Sequence, residues 1–406
     1  MMEITRDYVQ EESVNLIKEH ENVLLKWGTG IGKTLAFLKM QEEIKPAKVY
    51  IIVAETAHIK NWKDEYIKHD KEALLENVEI FCYASLKKYA NTEVDMICLD
   101  EGHHIMSDAR LSYLDSIISS KIIILSATFK TGQIDILTRV IGPIKTHTVT
   151  LRSAIENNML PEPTVYLIPL RFPEGMTSVN FTRGNSKKRV KLDCTYSNRN
   201  TYIFNKKDYE NIDLTIHCTH RQKNTYLDDM IAFYKKRYFA TRQIFFKNKW
   251  LQLGSERKRY LAESKTQYVQ TLLNKVTDKR FICFTGSIEQ ANYLSSNTNV
   301  IHSKIKDSLS IINSFNNGII NHLFVVDMLR EGQNLNNIEV GIIVQLDGDV
   351  GPYIQKMGRV MRAENPLIFV FYFKDSRDTE YLENILEEIK EDHIKYIDDL
   401  QNFNLN

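Results

Sequence analysis

The chain has 406 residues, a net charge of +1 and 26% charged residues, enough length for two or three domains with cores of their own. No apolar run approaches a membrane-spanning length, the opening MMEITRDYVQEES is too acidic and polar for a secretory leader, and the five cysteines form no CxxC pair. These features argue against a membrane span, a disulfide framework and a zinc site, and the protein is expected to be cytoplasmic.

Tyr8 to Ile17 reads as an amphipathic helix, in which Gln10 is either a solvated residue or an amide whose donor and acceptor suit an adenine edge. Next comes NVLLKWGTGIGKTLAFLK, read as strand, glycine turn and helix. Gly28, Gly30 and Gly32, with Thr29 and Ile31 between them, would let backbone N–H groups converge on an anion. Lys33 would reach the outer phosphates, and Thr34 would hold Mg²⁺ at the positive end of the helix. The nucleotide is then ATP or GTP; the alternative is a plain glycine turn ahead of a buried helix. Trp27 stands where the strict phosphate-loop pattern has glycine.

Apolar runs follow at Val49 to Ala54, Val78 to Ala84, Val94 to Leu99 and Lys121 to Leu125, alternating with helical stretches. Such an order predicts a parallel sheet buried on both faces, with ligand groups at the carboxyl ends of its strands. Asp100-Glu101 ends one strand, as either a loop start or a working pair: Asp100 for the metal, Glu101 to orient and deprotonate water. Ser126-Ala127-Thr128 ends another. In Leu151 to Pro169 a short helix and two prolines lead to an extended piece, which reads as the exit from the first domain.

Arg171 to Gln270 carries 21 Lys and Arg against 9 Asp and Glu, net +12, which leaves −11 for the rest of the chain. That asymmetry suits a middle that faces a polyanion. Residues 179–192 read as a hairpin whose tip carries Lys187, Lys188 and Arg189, and Tyr226 to Phe239 and Tyr260 to Leu273 have helical spacing. Rings interleave with the bases here, as in nucleic-acid channels, although rings at helical spacing also build cores. A second alternation of apolar strands and helices runs from Phe281 to Phe373 without a phosphate loop. It offers Gln355, Arg359 and Arg362 at i, i+4 and i+7, either two guanidiniums for a transferring phosphoryl group or surface ion pairs. The acidic tail from Asp375 suggests a helix docked by one face.

These clusters, in this order, resemble superfamily 2 helicases and translocases. GTGIGKT looks like motif I, LDEGHH like the DExH form of motif II, SAT like motif III, and QKMGRVMR like motif VI. IIVAETAHIKNWKDEY resembles motif Ia of Swi/Snf, repair and phage branch-processing members; YASL, FTGS and DMLREGQNL resemble motifs Ib, IV and V.

The resemblance implies an α/β fold of two RecA-like parallel-sheet domains, with a basic accessory insertion between them and a C-terminal helix. The expected divisions are 1–160, 161–270, 271–375 and 376–406. ATP with Mg²⁺ would lie between the RecA-like domains: Gln10 on adenine, Lys33, Thr34, Asp100 and Glu101 on phosphates, metal and water, and Gln355, Arg359 and Arg362 closing from the other side. His103, Ser126 and Thr128 would couple hydrolysis to domain movement. Thr56, His58, Ser85, Thr285, Gly286 and Asn334 would touch nucleic acid, Asn334 because Asp327 replaces the usual motif V hydroxyl. The expected protein is a monomeric ATP-dependent DNA helicase or translocase with a wedge near Gly184, acting on single-stranded, forked or branched DNA. Replication or recombination proteins of a phage or bacterium would be its partners. RNA as the polymer, or a DNA-stimulated subunit that remodels without unwinding, are the rival readings.

Overall fold

The computed structural model describes residues 4–305, 307–326, 335, 337–348, 356, 358, 360, 363–387 and 389–405. Its first sheet uses β1 (Asn22–Trp27), β2 (Val49–Val53), β3 (Val78–Cys82), β4 (Glu93–Asp100), β5 (Ile118–Ser126) and β6 (Ile144–Val149) in the order β3-β2-β4-β5-β1-β6, all parallel. Val23 and Leu25 of β1 join one hydrophobic cluster while Leu24 between them joins another. The strands are therefore buried on both faces, which is why they read as unbroken apolar runs rather than alternating ones.

A three-stranded sheet follows, built from β8 (Met176–Arg183), β9 (Val190–Thr195) and β10 (Ile212–Thr219). The long helices His220–Thr241 and Ile244–Glu263 come after it, and the unit has a hydrophobic cluster of its own around Ile212, Leu214, Tyr226 and Leu227. The expected hairpin is corrected here. β10 lies between β8 and β9, antiparallel to the first and parallel to the second. The cause is Arg183, whose guanidinium donates to the carbonyls of Tyr202, Ile203, Asn205 and Tyr209 and so ties the end of β8 to the segment leading into β10.

The last sheet is wholly parallel, in the order β12-β13-β11-β14-β15-β7-β16. It comprises β7 (Thr164–Leu170), β11 (Phe281–Thr285), β12 (Val300–Ile301), β13 (His322–Val326), β14 (Val340–Ile343), β15 (Leu367–Phe373) and β16 (Ile394–Tyr396). The extended end of the stretch read as a domain exit is thus a strand of the second sheet, after the helix Leu151–Glu156. β15, apolar on both faces, takes β7 as its outer neighbour over seven registered pairs, Leu367↔Thr164 to Phe373↔Leu170.

The tail also departs from expectation. Its helix covers only Arg377–Leu386, after which β16 pairs with β7 and Lys390 and His393 meet Glu162 at 3.2 and 3.4 Å. The helical reading of Tyr260 to Leu273 breaks at Ser264. There Lys265, fully buried, reaches Asp378 (2.8 Å) and donates to the carbonyls of Val344 and Phe371 (2.8 and 2.9 Å), while its burial lowers its pKa. Once the lysine is pinned on the second sheet, a straight helix cannot continue, and a new one starts at Thr266.

Candidate ATP site and nucleic-acid face

β1, β5 and β4 are adjacent, with Lys26 registered on Ser126 and Leu125 on Asp100. The phosphate loop, Ser126 and Asp100-Glu101 therefore leave three neighbouring strand ends on one edge. The loop is shaped by Gly30 and Gly32 at φ +89° and +97°, and Gly32 caps the helix Lys33–Ile44. A side chain is excluded at Gly32 on two counts, the positive φ and a Cβ that would stand 2.5 Å from Gln10 Nε2. Lys33 Nζ donates to the carbonyls of Trp27 (3.1 Å) and Gly28 (3.4 Å). Thr34 is half-buried at the first turn of the helix, and Ile31 is buried. Trp27 departs from the phosphate-loop pattern without disturbing the loop, because its indole is taken up toward β6. Its Nε1 donates to His147 Nδ1 (2.8 Å), and His147 Nε2 lies 3.2 Å from Glu12.

Gln10 is not a solvated helix residue. It is 3% exposed, its Nε2 lies 3.5 Å from Ile31 O, and its Oε1 is buried with no partner among the described residues. Burying an amide oxygen unmet costs about 1–3 kcal/mol. An exocyclic amine, such as that of adenine, would satisfy it, so the residues present fit ATP.

Asp100 is held by a residue to which the sequence reading gives no role. Trp62 Nε1, on the helix Thr56–Lys68, donates to Asp100 Oδ2 (2.8 Å), and Tyr83 Oη donates to Asp100 O (3.0 Å). The signal was available in the strand order: β2 pairs with β4 (Ile52↔Leu99), which sets the helix after β2 beside the end of β4. Glu101 follows in the left-handed region at φ +46°, a conformation that costs a non-glycine residue of order 1 kcal/mol or more and turns its carboxylate off the strand. His103 Nδ1 lies 3.7 Å from Glu101 Oε2 and 3.3 Å from Ser126 Oγ, and Thr128 N donates to the same hydroxyl (3.2 Å). The four residues Glu101, His103, Ser126 and Thr128 are thus linked across two strand ends. Gly102 is explained by crowding: a Cβ there would overlap Ile124 Cγ2.

The second α/β domain reaches this edge at Gly358. A Cβ on Gly358 would stand 2.5 Å from Thr29 Cβ and 3.2 Å from Thr29 O, so the two backbones meet at the phosphate loop. Gln355, Arg359, Arg362 and Asn334 lie outside the described residues.

The expected nucleic-acid contacts divide. Thr56 is exposed at the head of the helix carrying Trp62, and Ser85 is half-buried in the short helical run Tyr83–Tyr89. His58 is corrected: at 2% exposure it is inside the domain. So is Thr285, which is 5% exposed and donates to Val325 O (3.1 Å). Gly286 packs against Ala262, where no Cβ would fit, and its N–H donates to Gln290 Oε1 (2.9 Å). Thr285 is drawn inward because its strand is buried on both faces, and His58 because it shares the inner face of the helix Thr56–Lys68 with Trp62 and Tyr66. Lys187 and Lys188 are exposed in the loop between β8 and β9, while Arg189 is half-buried and donates to Gly184 O (2.9 Å).

Two family models match the chain in order: residues 3–88 fit the type III restriction enzyme res subunit, and residues 264–364 fit the helicase conserved C-terminal domain. No curated protein sequence matches it. Among solved structures it is similar to Saccharomyces cerevisiae Dbp5 bound to RNA and ADP BeF₃, with 11% identity, TM-score 0.58, and coverage of 96% of this chain and 89% of that one. It is also similar to the helicase domain of Pyrococcus furiosus Hef, with 13% identity, TM-score 0.51, and coverage of 94% and 99%. For Mycobacterium smegmatis Lhr bound to ssDNA and AMP-PNP the figures are 13%, 0.53, 95% and 48%. The shared architecture is the tandem RecA-like fold. The two family models, in this order on that fold, support placing the chain with the superfamily 2 helicases, ATP-dependent nucleic-acid motors.

Proposed function

We propose that this motor works on DNA, as a monomeric translocase or helicase in the cytoplasm that uses ATP with Mg²⁺. The observation that carries the motor geometry is the approach of Gly358 to Thr29, because it brings the second domain onto the phosphate loop of the first. Bound ATP with its metal supplies the phosphoanhydride whose hydrolysis drives the movement. Gln10 selects the base with its unmet amide oxygen. The backbone of Gly28 to Gly32 and Lys33 hold the phosphates, and the oxygen ligands Thr34 and Asp100 suit a hard cation. Glu101 takes the proton of the attacking water, and His103 and Ser126 carry the change at Glu101 to the end of β5. Arg359 and Arg362, which follow the Gly358 contact in sequence, are assigned the closing role, with Gln355 three residues before it.

The helix Thr56–Lys68 supports a direct coupling path. Its exposed head, Thr56, is assigned to the polymer backbone, and its Trp62 grips the metal-site carboxylate. A rigid helix connecting the two lets polymer binding bias the hydrolytic site.

DNA is favoured by the motif Ia segment around Asn61-Trp62, and by structural neighbours bound to DNA: Lhr, and the type ISP restriction-modification enzyme LlaBIII, of which this chain covers 31%. The RNA-bound state of Dbp5 favours a second reading, RNA. Displacement of a third strand from duplex DNA, with strand separation on forked DNA and matched RNA, tests the choice. ATP-dependent displacement on DNA supports the proposal, and activity confined to RNA would overturn it. Translocation without strand separation would assign the remodelling form of the motor.

A further inference from the structure

The basic unit between the two α/β domains holds a cavity of about 610 Å³, bounded by the end of β8, the helix Arg199–Phe204 and the two long helices. We propose that it is a binding pocket for unpaired nucleotides of the polymer, separate from the path across the two RecA-like domains; the inference rests on the nucleic-acid motor reading. Its size falls within the range of about 300–1,000 Å³ typical of small-molecule sites, room for a base with its sugar.

The walls supply flat apolar surface. Phe233, Tyr234, Phe246 and Phe245 run as a chain of rings, with successive centroids 5.3, 6.2 and 5.5 Å apart. Phe233 and Phe245 remain 39% and 58% exposed, and Phe204 on the opposite side is 63% exposed. Rings left this open at a cavity are not completing the unit's core, which is formed by other residues. Stacking on bases is the use that such faces have in single-strand binding.

The rim supplies charge. Arg183 and Arg199 also line the cavity, but both are committed to the protein, donating to backbone carbonyls, and Arg199 lies over the Tyr196 ring at 3.6 Å. Arg189 likewise donates to Gly184 O, and Lys206, Arg237, which lies over the Phe233 ring at 5.5 Å, and Lys249, whose Nζ is 3.3 Å from Gln252 Oε1, are the cations placed to reach phosphates, against a single lining carboxylate, Asp229. Cations outnumber acids here in the same sense as in the whole middle segment. That sign selects a polyanion over an acid-and-base-balanced protein surface.

The test uses the full-length chain and a fluorescent oligothymidylate. Phe233→Ala with Phe246→Ala should weaken binding about tenfold at constant salt. Lys206→Gln, Arg237→Gln and Lys249→Gln together should lower the slope of log affinity against log salt by about two. Unchanged thermal unfolding of each variant establishes that the unit still folds. As a measurement on the unaltered protein, 5-iodouracil oligonucleotides should crosslink within 226–249. Equal affinity of wild type and ring variant, crosslinks confined to the two α/β domains, or a protein captured by this face with unchanged oligonucleotide affinity would overturn the pocket. Polymer stimulation of ATPase, lost in Lys33→Ala, reports separately on the motor. Stimulation without an effect of the ring variant sinks the pocket alone, and no stimulation or binding by wild type sinks both.

Discussion

The first α/β domain and the basic middle unit are built by opposite strategies. In the first, chemistry lies at the ends of adjacent parallel strands, so a few contiguous residues each announce a role. In the middle unit, the pocket joins rings and cations spread over 233–249 of two long helices to Phe204, 29 positions before Phe233, and no strand end marks them. The difference teaches that a motor core is written in motifs because its sheet delivers strand ends to one edge. A pocket between helices is written only in composition.

The sharpest way to break that contrast is to remove one residue from the strand-end set. Lys33→Ala and Glu101→Gln should each lower hydrolysis by about 100-fold or more, as loss of a positioned general base does, with Glu101→Gln still binding ATP. Phosphate release and nucleotide binding read the two effects, and turnover retained in either variant would dismantle the assignment. The next effect is on stability. Lys265→Met leaves Asp378 buried beside an apolar side chain and should cost about 3–5 kcal/mol in denaturant unfolding, largely recovered on adding Asp378→Leu. No recovery would show that the ion pair is not what holds the start of the helix Thr266–Leu273.

Trp62→Phe keeps an aromatic ring, though a smaller one, and deletes the donor to Asp100, so kcat should fall roughly tenfold, with a modest loss of unfolding stability from the vacated volume. An effect on KM alone would mean that the indole does not position the carboxylate. Smallest is Gly102→Ala, which overpacks Ile124 and should destabilise by about 1–3 kcal/mol, with Ile124→Val giving part of it back. A neutral alanine would remove the steric reason for glycine at this position.

Much of the architecture was legible because both parallel sheets leave unbroken apolar runs, and Asp100-Glu101 and Ser126 stand where those runs end. What was not legible depends on pairing between distant segments. β7 reads as a proline-bearing exit until it is set beside β15, and the 179–192 hairpin fails because Arg183 finds carbonyls some 20 residues away. His58 and Thr285 look like polar loop residues at strand ends, yet both are turned inward. Trp62 carries no local mark of its bond to Asp100, because that bond exists only once β2 lies beside β4. Gln10 was open between two readings in sequence, and its burial removes the solvated one, leaving an unmet amide oxygen.

The measurement that bears most directly on the central claim is steady-state ATPase, wild type against Lys33→Ala, without polymer and with single-stranded, duplex and forked DNA and matched RNA, at two salt concentrations because phosphate contacts are salt-sensitive. The account predicts strong stimulation by single-stranded or forked DNA, weaker stimulation by RNA, loss of the effect at the higher salt and no turnover in Lys33→Ala. Wild-type turnover that no polymer changes would contradict it.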